Sequence, residues 1–191
     1  MNLTEKQLQK TIKKCIKNDR KSQELLFKTY YSKMMAVCMR YSRDHDTAQD
    51  VCQTGFIKIF EKLERYSFGG SFEGWMRRIM VNTAIDHIRK SKKELTIIED
   101  ESRIEDDLLE DEDIELSEML GIGVADVVEA MQSLSPAYKT VFNLYVMEDM
   151  SHKEVAEILG ISEGTSKSNL AKAKKNLKVI LKKKMKENEE P

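Results

Sequence analysis

The sequence predicts an all-α protein: two small helical domains, the second with a helix-turn-helix, joined by a flexible acidic linker. Three observations predict it. Apolar residues recur every three or four positions along most of the 191 residues, and no stretch alternates as a half-buried strand does. Only two prolines interrupt the chain, and charged residues reach 34% against 7% aromatic, a balance that suits amphipathic helices. Charge is also segregated. Residues 1–90 hold 18 Lys/Arg against 10 Asp/Glu, residues 91–128 hold 3 against 14, and residues 129–191 hold 11 against 9. The total of −1 therefore conceals two basic modules on either side of an acidic connector. The expected limits are a first domain over 1–92, a linker over 93–126 and a second domain over 127–191.

In the first domain, Thr4 and Gln7 form a capping box for a helix that runs to about Lys17. Asn18 and Asp19 break it and cap a second helix through about Tyr41, which carries Leu25, Leu26, Tyr30, Met34, Val37 and Tyr41 at helical spacing. Asp46 is expected to cap a third helix over 47–64, with Val51, Phe56, Ile59, Phe60 and Leu63 on its apolar side. Tyr66 to Phe72 reads as an aromatic loop around the pair Gly69 and Gly70, and Ser71 opens a fourth helix to about Lys92.

On that fourth helix Trp75, Met76 and Ile79 are expected to face one way and Met80, Ala84 and Ile88 another, with Arg78, Asn82 and Arg89 in a stripe between them. Tyr66, Phe68 and Phe72 precede the stripe. Aromatic rings beside cationic groups suit single-stranded nucleic acid, where stacking contributes ~1–3 kcal/mol per base. Phe72 is assigned to the core; Tyr66 and Phe68, in the Gly-rich loop, are the better contact candidates.

The connector has twelve acidic residues and one basic residue, Arg103, between Glu99 and Glu118. Such self-repulsion extends a chain and disfavours packing. Leu108, Leu109, Ile114, Leu116, Met119 and Leu120 leave open a transient or partner-induced helix there.

In the second domain, Ser151 and Glu154 form a capping box, Val155, Ile158 and Leu159 lie on one side, and Gly160 stands at the stop. Ile161 fills the corner and Ser162 caps the next helix. On that helix Leu170, Ala173 and Leu177 share a core stripe, while Ser168, Lys172 and Lys175 point away, with Ala171 beside them and Lys167 and Lys174 on the flanks. A short helix, a Gly-containing turn and a basic second helix form the pattern that reads a DNA major groove.

Other classes are weighed against this. No apolar stretch approaches the ~18 residues that span a bilayer, and the first residues lack a signal peptide's apolar core, so a cytoplasmic protein without membrane insertion is expected. Cys15, Cys38 and Cys52 are odd in number and irregularly spaced, as in reduced thiols, and His45, His87 and His152 show no metal-ligand spacing; no metal or cofactor is expected. A nucleic-acid enzyme would need clustered carboxylates near a metal or an activated nucleophile, and the one carboxylate cluster lies in the connector. A stand-alone helix-turn-helix repressor or activator remains the other alternative.

Three linked motifs then carry a resemblance. Asp46-Thr-Ala-Gln-Asp50-Val-Cys-Gln53-Thr-Gly-Phe56 resembles the region-2 helix of bacterial RNA polymerase sigma factors. The stretch from Phe72 through Trp75, Ile79, Asn82 and Asp86 to Arg89 resembles the following helix in their extracytoplasmic-function group. Leu134 through Tyr138 and Phe142, followed by the helix-turn-helix, resembles that group's region 4. The matches span about residues 22–92 and 127–180.

This resemblance implies sigma-2 and sigma-4 domains in a non-enzymatic factor that binds core RNA polymerase, recognises −10 and −35 promoter elements, melts DNA and starts transcription. It implies docking on the clamp helices of the largest subunit through Asp46, Asp50, Gln53 and Phe56. Gln49 and Thr54 stand where acidic residues are common. It further implies capture of a flipped −10 base by the Tyr66–Ser71 loop, with Asn82 in the pocket. Adding the stacking and cationic candidates, the single-strand set is Tyr66, Phe68, Trp75, Arg78, Asn82 and Arg89. Duplex contacts at Lys167, Ser168, Ala171 and Lys172 follow from the resemblance, and Lys175 from helical geometry. Asn169 stands where arginine is usual, and lysines replace arginine at 172 and 174. An anti-sigma protein that masks the polymerase-facing surfaces is a further implied partner.

Overall fold

The computed structural model describes residues 3–90 and 124–189, and the chain divides into two compact units, Met1–His87 and Ile88–Pro191. Among the described residues the regular structure is helical throughout.

Unit 1 is built from α1 (Glu5–Ile16), α2 (Arg20–Tyr41), α3 (His45–Lys62), a 3-10 turn at Leu63–Arg65, and α4 (Phe72–Lys90), whose last turn passes the unit boundary. The Thr4–Gln7 capping box forms as expected, with the Thr4 N–H donating to Gln7 Oε1 at 2.9 Å. Asn18 turns the chain with φ 59°, and the Asp19 carboxylate accepts from the Ser22 N–H at 3.0 Å to start α2.

The third helix begins earlier than the sequence implied. Asp44, not Asp46, is its cap: extended at φ −146°, it accepts from the Thr47 N–H at 2.7 Å. Asp46 sits in the first helical turn with a fully exposed side chain, where the helix dipole favours a carboxylate. Two aspartates two residues apart both satisfy the capping rule, and the backbone at Asp44 decides between them. The Ser71 hydroxyl accepts from the Gly74 N–H at 3.2 Å and opens α4.

The core of unit 1 joins all four helices. Ile12, Leu26, Met34, Ile59, Met76 and Met80 are essentially sealed from solvent. The buried face of α4 comprises Met76, Met80, Val81, Ala84, Ile85 and Ile88. Met76 thus belongs with Met80, whereas Trp75 and Ile79 are half-buried at the edge of the polar row, a correction to the two-sided arrangement expected from spacing. Gly55 lets α3 approach α4 closely, since a Cβ there would overlap the Met80 sulfur. Cys15, Cys38 and Cys52 are free, buried and helical.

Unit 2 holds α5 (Val124–Gln132), α6 (Pro136–Phe142), a π-helical turn (Asn143–Met147), α7 (His152–Leu159) and α8 (Glu163–Glu189). α5 takes in the last three residues of the expected linker; the rest of that linker lies outside the described residues. Ala130, Met131 and Leu134 pack with Ala173, Leu177 and Leu181 of α8, flanked by Tyr138 and Phe142. The π turn carries Leu144 inward while Val146 and Met147 stay exposed.

The Ser151–Glu154 capping box starts α7, and Gly160 ends it in the left-handed region at φ 70°. A Cβ on Gly160 would meet nothing within 4 Å, so only backbone strain opposes a side chain there. Gly160→Ala is expected to destabilise unit 2 by about 1–2 kcal/mol, read as earlier hydrogen exchange of the α7 and α8 amides.

Candidate protein and nucleic-acid interfaces

Three surfaces stand out from the cores. The first lies on α3. Asp46, Asp50, Gln53 and Ile57 follow each other at i, i+4, i+7 and i+11, which places them in one row along the helix. All four are exposed, Ile57 by 59%. Thr54 and Glu61 border the row and are exposed too. Phe56 does not belong to this surface. It is 3% exposed and its ring lies 4.6 Å from that of Phe27, so it supports the helix from within. The next residue along, Ile57, is the one that sequence reasoning missed: an apolar side chain at the end of a polar row reads as pattern noise until its exposure is known.

The second surface is the loop before α4 and the outward row of α4. Tyr66 is the hub of an aromatic group: its ring centroid is 5.0 Å from Phe68, 5.0 Å from Phe72 and 5.4 Å from Trp75. Phe72 and Trp75 stack at 5.7 Å with 21° between their planes. The Tyr66 hydroxyl donates to the Gly70 carbonyl at 2.5 Å and so closes the loop on itself. Phe68 holds φ 58°, and the residue is 39% exposed in the loop. Phe72 is buried, as assigned from sequence. Arg78, Asn82 and Arg89 are exposed in one row with the half-buried Trp75 and Ile79. Asp86, in the same row, is held by Lys58 at 3.1 Å, which ties α4 to α3 beneath the stripe.

The third surface is the helix-turn-helix. The Ser162 hydroxyl accepts from the Thr165 N–H at 2.9 Å and caps α8. Leu170, Ala173 and Leu177 are buried as the spacing predicted, Lys167 and Lys175 are exposed, and Ser168, Ala171 and Lys172 are half-buried. Asn169 is fully buried and neither of its amide atoms has a hydrogen-bond partner, which removes it from any groove-reading role.

His152 fixes the angle between the two helices. Its ring stacks on Tyr145 at 4.3 Å, and its Nδ1 meets the buried Ser166 hydroxyl at 2.9 Å. Burial, then Lys167 and Lys174, push its pKa below the ordinary value, with Glu163 opposing. A lowered folded pKa means the unfolded chain binds the proton more readily. The contribution of His152 to the stability of unit 2 is therefore fully present above its ordinary pKa of about 6.5 and is lost as pH falls through the lowered folded value. His152→Gln is expected to flatten that slope, measured by α7 and α8 amide exchange between pH 7 and pH 5.

A helix-turn-helix in one unit and an aromatic loop beside the polar row of α4 define a protein of the DNA-binding class. Comparison with known proteins sharpens this. Residues 26–94 match the family model for Sigma-70 region 2, and residues 124–177 that for Sigma-70, region 4. The chain is 28% identical over 178 residues to RNA polymerase sigma-H factor of Pseudomonas aeruginosa, covering 90% of this chain and 92% of that protein. It is 30% identical over 146 residues to RNA polymerase sigma factor SigV of Bacillus subtilis, covering 74% and 80%. Among solved structures, the sigma factor RpoE in complex with the anti-sigma factor NepR from Bartonella quintana aligns with TM-score 0.48 and 22% identity, over 83% of this chain and 96% of that one. The chain belongs to the sigma-70 family, in its extracytoplasmic-function group, and is a sigma factor that directs promoter-specific initiation of transcription.

Proposed function

We propose that the three surfaces divide the work of initiation. Asp46, Asp50, Gln53 and Ile57 dock on core RNA polymerase at the clamp helices of its largest subunit, with Phe56 holding α3 in place behind them. Tyr66, Phe68, Trp75, Arg78, Asn82 and Arg89 hold the unstacked −10 strand. Lys167, Ser168, Ala171, Lys172 and Lys175 contact the −35 duplex. The working limits are residues 1–92 for the region-2 domain and 127–191 for the region-4 domain. The factor itself performs no bond chemistry, acts in the cytoplasm and is open to an anti-sigma protein that covers the α3 row.

The observation that carries this reading is the Tyr66–Phe68–Phe72–Trp75 ring group beside the Asn82 row. Opening a duplex costs a few kcal/mol for each extruded base, so the protein must supply stacking where the base lands. Rings with exposed edges and an amide a short way along the helix meet that need. Lysine in place of arginine on α8 lacks the bidentate fork, so duplex readout there rests on backbone contacts and DNA shape. The direct test is gel filtration with purified core polymerase. Co-elution, together with transcripts that begin at discrete sites, supports the reading; a free dimer bound to palindromic DNA contradicts it.

A further inference from the structure

Helix α1 precedes the region matched to Sigma-70 region 2, which begins at residue 26. It nevertheless forms one wall of a cleft of about 290 Å³ whose other wall is the aromatic loop. Glu5, Leu8 and Gln9 face Tyr66, Phe68 and Phe72 across it. Gln9 also lines a second, open groove with Lys6, Lys10, Lys13, Lys14 and Lys17. The two depressions thus meet at one residue. The lysines recur at i, i+4, i+7, i+8 and i+11, along a single face of α1 and onto its C-cap residue Lys17, and all are exposed. Among the described residues no salt bridge holds Lys6, Lys10, Lys13 or Lys17.

We propose that α1 is a third DNA-binding element: it supplies, through Gln9, the second wall for the unstacked base that the aromatic loop holds in the reading above, and its lysine row tracks the phosphates of the adjoining single strand. This rests on the sigma-factor reading above and extends it to residues outside the matched region. The cleft lies at the lower end of the size range of ligand pockets, about 300–1,000 Å³, which suits one flat ring system. Its walls supply stacking rings on one side and the Gln9 amide, a donor and acceptor for a base edge, on the other. The Glu5 carboxylate in the wall of the cleft repels phosphate, so the base enters and the backbone stays over the lysines. A solvated lysine face alone would show no such partition, because it would have no cleft at its end.

The test uses holoenzyme reconstituted with the full chain and a fork-junction promoter carrying a single-stranded −10 segment. The variant Lys6→Gln/Lys10→Gln/Lys13→Gln/Lys17→Gln leaves every core residue untouched. It is expected to bind core polymerase normally but to lose about 2.8 from the log–log salt slope of fork binding, at ~0.7 per phosphate contact on single strands. The matching four-arginine variant should restore the slope. Gln9→Ala should weaken binding of the fork but not of the same promoter with an abasic site at the captured position. An unchanged slope in the glutamine variant overturns the proposal, as does a loss of core affinity in its place, which would assign the row to polymerase. Failure of wild-type protein to bind core at all would instead refute the underlying sigma-factor reading.

Discussion

Changing Asp50, Gln53 and Ile57 together to alanine is expected to weaken binding to core polymerase by at least a hundredfold while leaving the helical fold intact. The three side chains are exposed in one row of α3, so their removal opens no cavity. Interface energy concentrates in a few residues that each cost about 2 kcal/mol or more on truncation, and Ile57 suits such an anchor: apolar, exposed and bordered by the polar Gln53, Thr54 and Glu61. About 3 kcal/mol in total corresponds to that hundredfold change. Phe56→Ala serves as the contrast. Phe56 is buried against Phe27, so its loss should lower the stability of unit 1 first and affect polymerase binding only through unfolding. Equal affinity of the triple variant and the wild type, measured by competition for core against a labelled sigma factor, would remove the docking role from this row.

Met80→Ala is expected to cost unit 1 about 2–5 kcal/mol, the range for truncating a sealed core methionine. Met80 is completely buried, its sulfur lies 3.9 Å from the Cys38 sulfur of α2, and it fills the space left by Gly55 of α3. One side chain therefore joins three helices. Gly55→Ala should be destabilising by overpacking, about 1–3 kcal/mol, because the added methyl would displace that sulfur. The double variant Gly55→Ala/Met80→Ala should be less destabilised than the two single changes added together, since the new methyl enters the new cavity. Urea unfolding followed by fluorescence reads this directly: Trp75 is the sole tryptophan and lies in unit 1. Strict additivity would show that the two residues do not share one packing site.

Much of this architecture was legible in the chain because local rules and tertiary packing agree. Thr4 with Gln7, Asp19, Ser151 with Glu154, Gly160 and Ser162 all act as caps or stops at the positions their chemistry predicts. The inward stripe of α8 follows from helical periodicity alone. Errors arose where a rule had two equal solutions or where exposure decides. Asp44 and Asp46 both fit the cap of α3, and only the backbone separates them. Ile57 and Phe56 are adjacent apolar residues, and burial of one and exposure of the other depends on where α2 packs. The π turn after α6 carries no composition signal, because it inserts one extra residue into an otherwise ordinary amphipathic pattern. The cleft beside α1 was equally hidden: α1 and the aromatic loop are about sixty residues apart in sequence, and no periodicity relates them.

The division of labour between the two units is the central claim, and permanganate footprinting of an open promoter complex tests it most directly. Wild-type holoenzyme should make −10 thymines reactive. Asn82→Ala should keep full −35 duplex binding but lose most of that reactivity, because the role proposed for its surface is with unstacked bases alone. Lys175→Ala should do the reverse: weaker duplex binding, with a salt slope reduced by ~0.9 if one phosphate contact is lost, and normal melting once enough complex is formed. Normal reactivity and base preference with Asn82→Ala, or equal loss of duplex binding and melting in both variants, would contradict the account.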